Sequence, residues 1–475
     1  MLFPTTDFAI FFAVAFTANW LLNPYPRVWK LAMVALSYFF YSWWDWRFVF
    51  LLAAETVVAQ AGVAVIGRIE APRPRRIALA VSLVALLSFL LWFKYYGFFA
   101  LNVDNALHGL GGGRVLPLVR VTLPVGVSFF TFMAISYVVD VYRREIEPAR
   151  PVDLAVYLSF FPHLVAGPIV RGQELLPQIR RRRDPRRIDF GRAAWLIAAG
   201  LFKKVVLSSY IASSIVDPVF AAPRQRSSLE ILVAIYGYAV QIYADFSGYT
   251  DIAIGLALLL GFRFPDNFDA PYTARSLQDF WRRWHMTLSR WLRDYLYIPL
   301  GGNRGSRLLV ARNIMITMLL GGLWHGAAWT FIAWGAIHGV GQVIGHENRQ
   351  RRLAAGLEPL ANGRGRVALQ RFLTFQVVCL AWVFFRADSM ATAFTLLGRL
   401  FTDWTAASPL VTPLVVLAVA FGIGVQYVPS DAVERLQRTF ARFPVAAQGA
   451  ILGVVLLAIT TLGPQGVAPF IYYRF

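Results

Sequence analysis

Apolar residues in this 475-residue chain fall in long unbroken blocks, neither alternating as in a half-buried strand nor repeating in heptads. The early blocks cover residues 8–22, 28–41, 48–66, 77–93 and 121–141. Later ones cover 193–207, 229–243, 252–262, 314–344, 372–385, 410–428 and 446–462. A helix needs roughly 20 such residues to cross a bilayer, so the blocks predict spanning helices. The shorter ones are expected to tilt, break or lie partly in the membrane plane. The block at 8–22 has no basic region before it and no small-residue cleavage pattern after it, and is expected to be a retained helix. The pattern predicts an all-α, polytopic integral membrane protein.

Composition agrees and adds a second feature. Hydrophobic residues make up 57% and charged residues 15%, against about a quarter charged in soluble proteins. Disorder, a collagen-like fibre, a coiled coil and a disulfide-stapled secreted domain are excluded. Yet Lys and Arg number 46 against 26 Asp and Glu, a net charge of +20. Nucleic-acid binding would explain that charge but not the apolar blocks, whereas basic cytoplasmic loops explain both. Arg27 and Lys30 follow the first block, Arg68, Arg73, Arg75 and Arg76 the third, and Arg143, Arg144 and Arg150 the fifth. These place the N-terminus outside. The apolar stretch 154–170 is flanked by basic loops at both ends and is expected to enter and leave on one side. Its Phe161-Pro162 and Gly167-Pro168 pairs break a helix. Broken backbone at membrane depth is tolerated where it is buried in protein or lines a cavity. Residues 159–171, with His163 among them, are therefore expected to be a re-entrant wall of an internal site.

A different anomaly spans residues 275–312, where eight Arg accompany only Asp279 and Asp294. Plotted as one helix at about 100° per residue, residues 280–295 put Trp281, Trp284, Leu288, Trp291, Leu292 and Tyr295 on one face. Arg282, Arg283, Arg290 and Arg293 fall on the other. Such a helix suits an interface, with guanidinium groups toward phosphates or an anionic ligand. His285 lies within the apolar stripe, where an ionisable group is least expected.

Six histidines are present. His108, in a glycine-rich loop, and His346, beside Glu347, read as ordinary solvated residues. His325 sits in Gly-Gly-Leu-Trp324-His325-Gly inside a long apolar block, where an ionisable group marks a functional site by default; the alternative is a structural histidine bonded to a backbone carbonyl. His338, 13 residues on and so about 140° around the same helix, reads as a helix–helix contact that shares no pocket with His325 unless the helix breaks. No cysteine cluster, HExxH motif or third ligand accompanies His285 and His325, so a metal is not expected. No GxSxG elbow points to a nucleophilic serine. General-base chemistry by a neutral imidazole in a dry site fits. The polar stretch 241–251 carries Asp245, Tyr249 and Asp251 in apolar surroundings; the acids need partners, expected to be Arg, and serve either a salt-bridge hub or substrate binding. The lone Cys379 reads as a small buried apolar residue.

The run QIYADFSGYTDIAIGLALLLGFRFPDNFDAPYTARSLQDFWRRWHMTLSRWLRDYLYIPLGGNRG, followed by GGLWHGAAWTFIAWGAIHG, closely resembles the membrane-bound O-acyltransferase family, in particular its bacterial alginate O-acetyltransferase branch. SFFPHLVAGPIVRGQELLPQI, GLFKKVVL and the C-terminal PFIYYRF support it. The resemblance implies a ring of about 11–13 transmembrane and re-entrant helices around a central catalytic pore. One integral membrane domain is expected, with N-terminal helices at 1–120, a catalytic core at 121–350 and C-terminal helices at 351–475. The family's catalytic histidine maps onto His325 and its partner position onto His285, where distant eukaryotic members carry Asn. Trp324, Trp281, Asp245, Tyr249, His163, Arg282 and Arg283 are the candidate substrate-binding residues, the arginines for coenzyme A phosphates or simply as cytoplasmic orientation charge. By resemblance, acetyl-coenzyme A is the donor from the cytoplasm and no cofactor is permanently bound. The acceptor approaches from outside the inner membrane, and a periplasmic SGNH-type acyltransferase partner completes transfer to an exopolysaccharide. A transporter or channel that passes a substrate without chemistry is the alternative, as is a scaffold that only recruits a periplasmic enzyme.

Overall fold

A computed structural model describes residues 1–110, 117, 119 and 121–462; the PFIYYRF motif lies outside them. Every regular element among the described residues is helical. Among the described residues six helices are long and apolar enough to cross a membrane: Phe48–Arg68, Pro72–Gly109, Phe190–Ala221, Ser228–Leu259, Arg307–His325 and Arg364–Arg386. Thr6–Leu21, Val127–Tyr142 and Ala446–Ile459 are shorter apolar helices. The chain is a multi-pass membrane protein. Its starts and stops are local: Pro26, Pro72, Pro151 and Pro413 open helices where no intrahelical N–H is needed, and Ser276, Ser306 and Ser389 cap others.

Two expected block boundaries fall elsewhere. The blocks at 229–243 and 252–262 belong to one 32-residue helix, Ser228–Leu259, so the polar stretch between them sits mid-helix. It continues because its acids are paired, as described below. Conversely, the block at 314–344 is two helices, Arg307–His325 and Trp329–Ala354. Gly326 is extended, and the Phe331 ring occupies the space its side chain would need, 2.1 Å from an added Cβ. The two helices then pack backbone to backbone: a Cβ on Gly322 would lie 2.3 Å from the Phe331 carbonyl oxygen, and one on Gly335 2.5 Å from that of Met318.

The chain divides into two compact units, Met1–Ala193 with Ala253–Pro265, and Ala194–Ile252 with Asp266–Phe475. In the first, residues 159–171 break as their prolines predict: helix Pro151–Ser159 ends, a single turn Phe161–Leu164 follows, and helix Gly172–Arg180 starts after irregular backbone. All of residues 158–170 are buried. His163 there bonds the Tyr157 carbonyl through Nε2 at 3.0 Å and packs on Phe264. Lys30 pairs with the buried Asp153 at 2.5 Å, with Arg180 nearby. The second unit holds His285, His325 and His338. It also buries Cys379, in the Arg364–Arg386 helix.

Candidate active site

The expected amphipathic helix at 280–295 is not continuous. Helix Leu277–Arg283 stops, Trp284 is extended, and His285 adopts φ 42° and ψ 54°, a left-handed conformation, before helix Met286–Leu292 begins. A non-glycine residue in that region is uncommon and costs about 1–3 kcal/mol unless its surroundings hold it. Here a second strand of backbone holds it. The Met286 N–H donates to the Asn267 carbonyl at 2.9 Å, and the Asp269 N–H to the Arg283 carbonyl at 2.9 Å. The sorting of faces survives the break. Phe280, Trp281, Trp284, His285, Leu288, Trp291 and Leu292 are buried, while Arg282 and Arg293 are exposed.

Asn267 also decides the hydrogen positions on His285. Its side-chain oxygen accepts from the Thr287 backbone N–H at 3.1 Å and the Thr287 hydroxyl at 2.8 Å, and faces His285 Nδ1 at 3.2 Å. A backbone N–H can only donate, so the amide end turned this way is the oxygen. His285 therefore carries its hydrogen on Nδ1, and Nε2 is a lone-pair acceptor. The ring stands edge-on to Phe246, with centroids 4.7 Å apart, and lies 6.0 Å from Trp324.

Trp324 joins the two histidines of interest, because its ring is also 4.9 Å from that of His325, at the last residue of its helix. Trp334 at 4.9 Å and Phe385 at 5.1 Å, both edge-on, also pack against His325. Since the helix breaks after His325, His338 does come near: its ring is 4.8 Å from the same Trp334. Trp281, on the other side of the sequence motif, donates from its indole N–H to His338 Nδ1 at 3.3 Å.

Asp245 and Asp251 find lysines, not the expected arginines. Lys204 pairs with Asp245 and Lys203 with Asp251, and Lys203 also donates to Ser247 at 3.0 Å. Both lysines come from GLFKKVVL, in a π-helical stretch, Phe202–Ser208, whose helix meets the 228–259 helix where Gly200 faces Gly248 backbone to backbone. Tyr249 is fully buried. Arg283 is committed to Asp279 at 2.9 Å and Asp269 at 3.3 Å. Arg282 instead lines a cavity of about 510 Å³ with Arg290, Arg293, Arg349 and His346, over an apolar floor that includes Leu292 and Met318. Trp281 forms part of its wall. Sequence reasoning took His346 for a solvated residue and passed over Asn267, Trp334 and Phe385. Asn267 lies in a loop with no periodicity to read, and aromatic residues are too common in this chain to stand out. Among the described residues no cluster of three or more His, Cys, Asp or Glu could hold a metal ion.

The membrane-bound O-acyltransferase family model matches residues 82–346, which include His285, His325, His338 and both lysine–aspartate pairs. The chain belongs to that family. It is 35% identical to "Probable alginate O-acetylase AlgI" of Azotobacter vinelandii over the full length of both. It is 38% identical to the protein of the same name from Pseudomonas aeruginosa, covering 85% of this chain and 76% of that one. A peptidoglycan O-acetyltransferase of Helicobacter pylori is 35% identical over 84% of this chain and 79% of its own. This member of the family is accordingly a membrane O-acyltransferase.

Proposed function

We propose that the protein moves an acetyl group from cytoplasmic acetyl-coenzyme A toward an exported glycan, with His325 and His285 as the catalytic pair. The observation that carries this reading is the burial of both imidazoles against one indole, that of Trp324. His325 takes the proton of the acceptor hydroxyl as its oxygen attacks the thioester carbonyl. The tetrahedral intermediate then collapses, the C–S bond breaks, and the thiolate leaves and recovers a proton. A neutral His285 with its hydrogen on Nδ1 has no N–H at Nε2 to offer an oxyanion. Its Nε2 accepts from a neighbouring hydroxyl of the acceptor and so aims the reacting one at His325.

Arg282, Arg290 and Arg349 around the cavity receive the donor's phosphates, for which guanidinium groups are suited. Arg283, already neutralised by two carboxylates, is not among them. The relatives' names supply the acceptor class, alginate or peptidoglycan, hence a polysaccharide here. As in the systems the sequence resembles, a periplasmic SGNH-type partner completes the transfer. The protein sits in the bacterial inner membrane with its N-terminus outside, in keeping with its basic loops. In native membrane vesicles, wild-type protein should release free thiol from acetyl-coenzyme A, and His325→Ala should abolish both that release and O-acetyl groups on exported polymer. Full acetylation in the variant removes His325 as the base. Wild-type protein that never releases thiol favours a passive channel.

A further inference from the structure

Trp334 sits edge-on to His325 and has no hydrogen bond of its own: its indole nitrogen is buried without a partner. The ring is held by packing alone, between His338 at 4.8 Å, Phe385 at 5.5 Å, Trp281 at 5.7 Å and Trp382 at 6.0 Å. The Trp281–His338 hydrogen bond is the polar tie beside it. Because an indole N–H only donates, His338 Nδ1 must accept, so the ring is neutral with its hydrogen on Nε2. That Nε2 is itself buried without a protein partner. A phenylalanine would fill the same space between Phe280 and Trp334 without that orphan group, but would strand the Trp281 N–H. The one thing the imidazole adds is the acceptor.

We propose that His338 and Trp281 are a positioning pair for His325: their hydrogen bond fixes the ring stack that sets the angle of Trp334, and through it the imidazole that acts on the acceptor. Trp281 also walls the cavity lined by arginines, so the hydrogen bond links that wall to the ring packed on His325. The proposal rests on the reading of His325 as the base. Neither His338 nor Trp281 need touch the reacting atoms.

The test is a double-mutant cycle in membrane vesicles, with thiol release from acetyl-coenzyme A as the rate. His338→Phe should lower kcat about tenfold, the size of a lost hydrogen bond plus a stranded donor, with the KM for acetyl-coenzyme A within about twofold. His338→Gln, which restores an acceptor, should recover most of the rate. Trp281→Phe combined with His338→Phe should be no worse than the more impaired single variant, because both remove one interaction. Multiplying losses, no rescue by Gln, or a change in KM alone would overturn the proposal. A readout independent of turnover separates it from the acetyl-transfer reading. In protein labelled with ¹⁵N-tryptophan, the indole resonance that disappears in Trp281→Phe should move in His338→Phe. If it stays put, the tie does not exist, whatever the vesicles release.

Discussion

Lys204 and Asp245 show how this chain tolerates charge at depth: their side chains are 1% and 5% exposed and face each other directly. Removing one partner of such a pair leaves the other charge buried and typically costs about 3–5 kcal/mol, whereas replacing both with apolar groups is often neutral. Lys204→Met should therefore lower the melting temperature of the detergent-solubilised protein markedly, and adding Asp245→Leu should restore most of it. Melting of the double variant below the single would mean that the two charges act separately. The sequence showed that these acids required partners but not which basic residues would supply them, since 41 residues separate Lys204 from Asp245. His285 and His325 were legible for the opposite reason. An ionisable ring in an apolar run is conspicuous without any knowledge of its neighbours, while Asn267, which sets the tautomer of His285, becomes informative only once the fold brings it there.

At the scale of elements, apolar blocks located the helices but misplaced their joints. Hydrophobicity reports what a residue can lie against; it does not report whether the backbone continues. Thus the 314–344 block hides a break that glycine and a folded-over Phe331 create, and the 241–251 stretch conceals continuity that lysines on another helix make possible. Prolines were the better guide, and the break at 159–171 falls where they stand. The paired helices Arg307–His325 and Trp329–Ala354 depend on glycine for closeness, not for unusual dihedrals. Gly335→Ala would force a methyl to 2.5 Å from the Met318 carbonyl oxygen, and should destabilise by about 1–3 kcal/mol. Gly345→Ala in the same helix meets nothing within 4 Å and should be neutral or slightly stabilising. Thermal melts of the two variants side by side test this; equal melting would remove close packing as the reason for Gly335.

For the whole molecule, the +20 charge divides into several uses. Some cations are committed to carboxylates, as in Lys30 with Asp153 and Arg386 with Asp217 at 2.7 Å. Some line the cavity beside Trp281. Those around residues 68–76 carry the proposed orientation, with that loop in the cytoplasm and the N-terminus outside. A cysteine placed at Arg73 should react with an impermeant maleimide in inverted vesicles and not in intact spheroplasts; the reverse pattern would invert the topology. The burial of Cys379 gives this experiment its economy. With its single native thiol sealed inside the second unit, the wild-type chain is already a nearly silent background for sulfhydryl chemistry. Any engineered cysteine then reports alone, so spin labels, fluorophores or cross-linkers can map helices one position at a time without first rebuilding the protein.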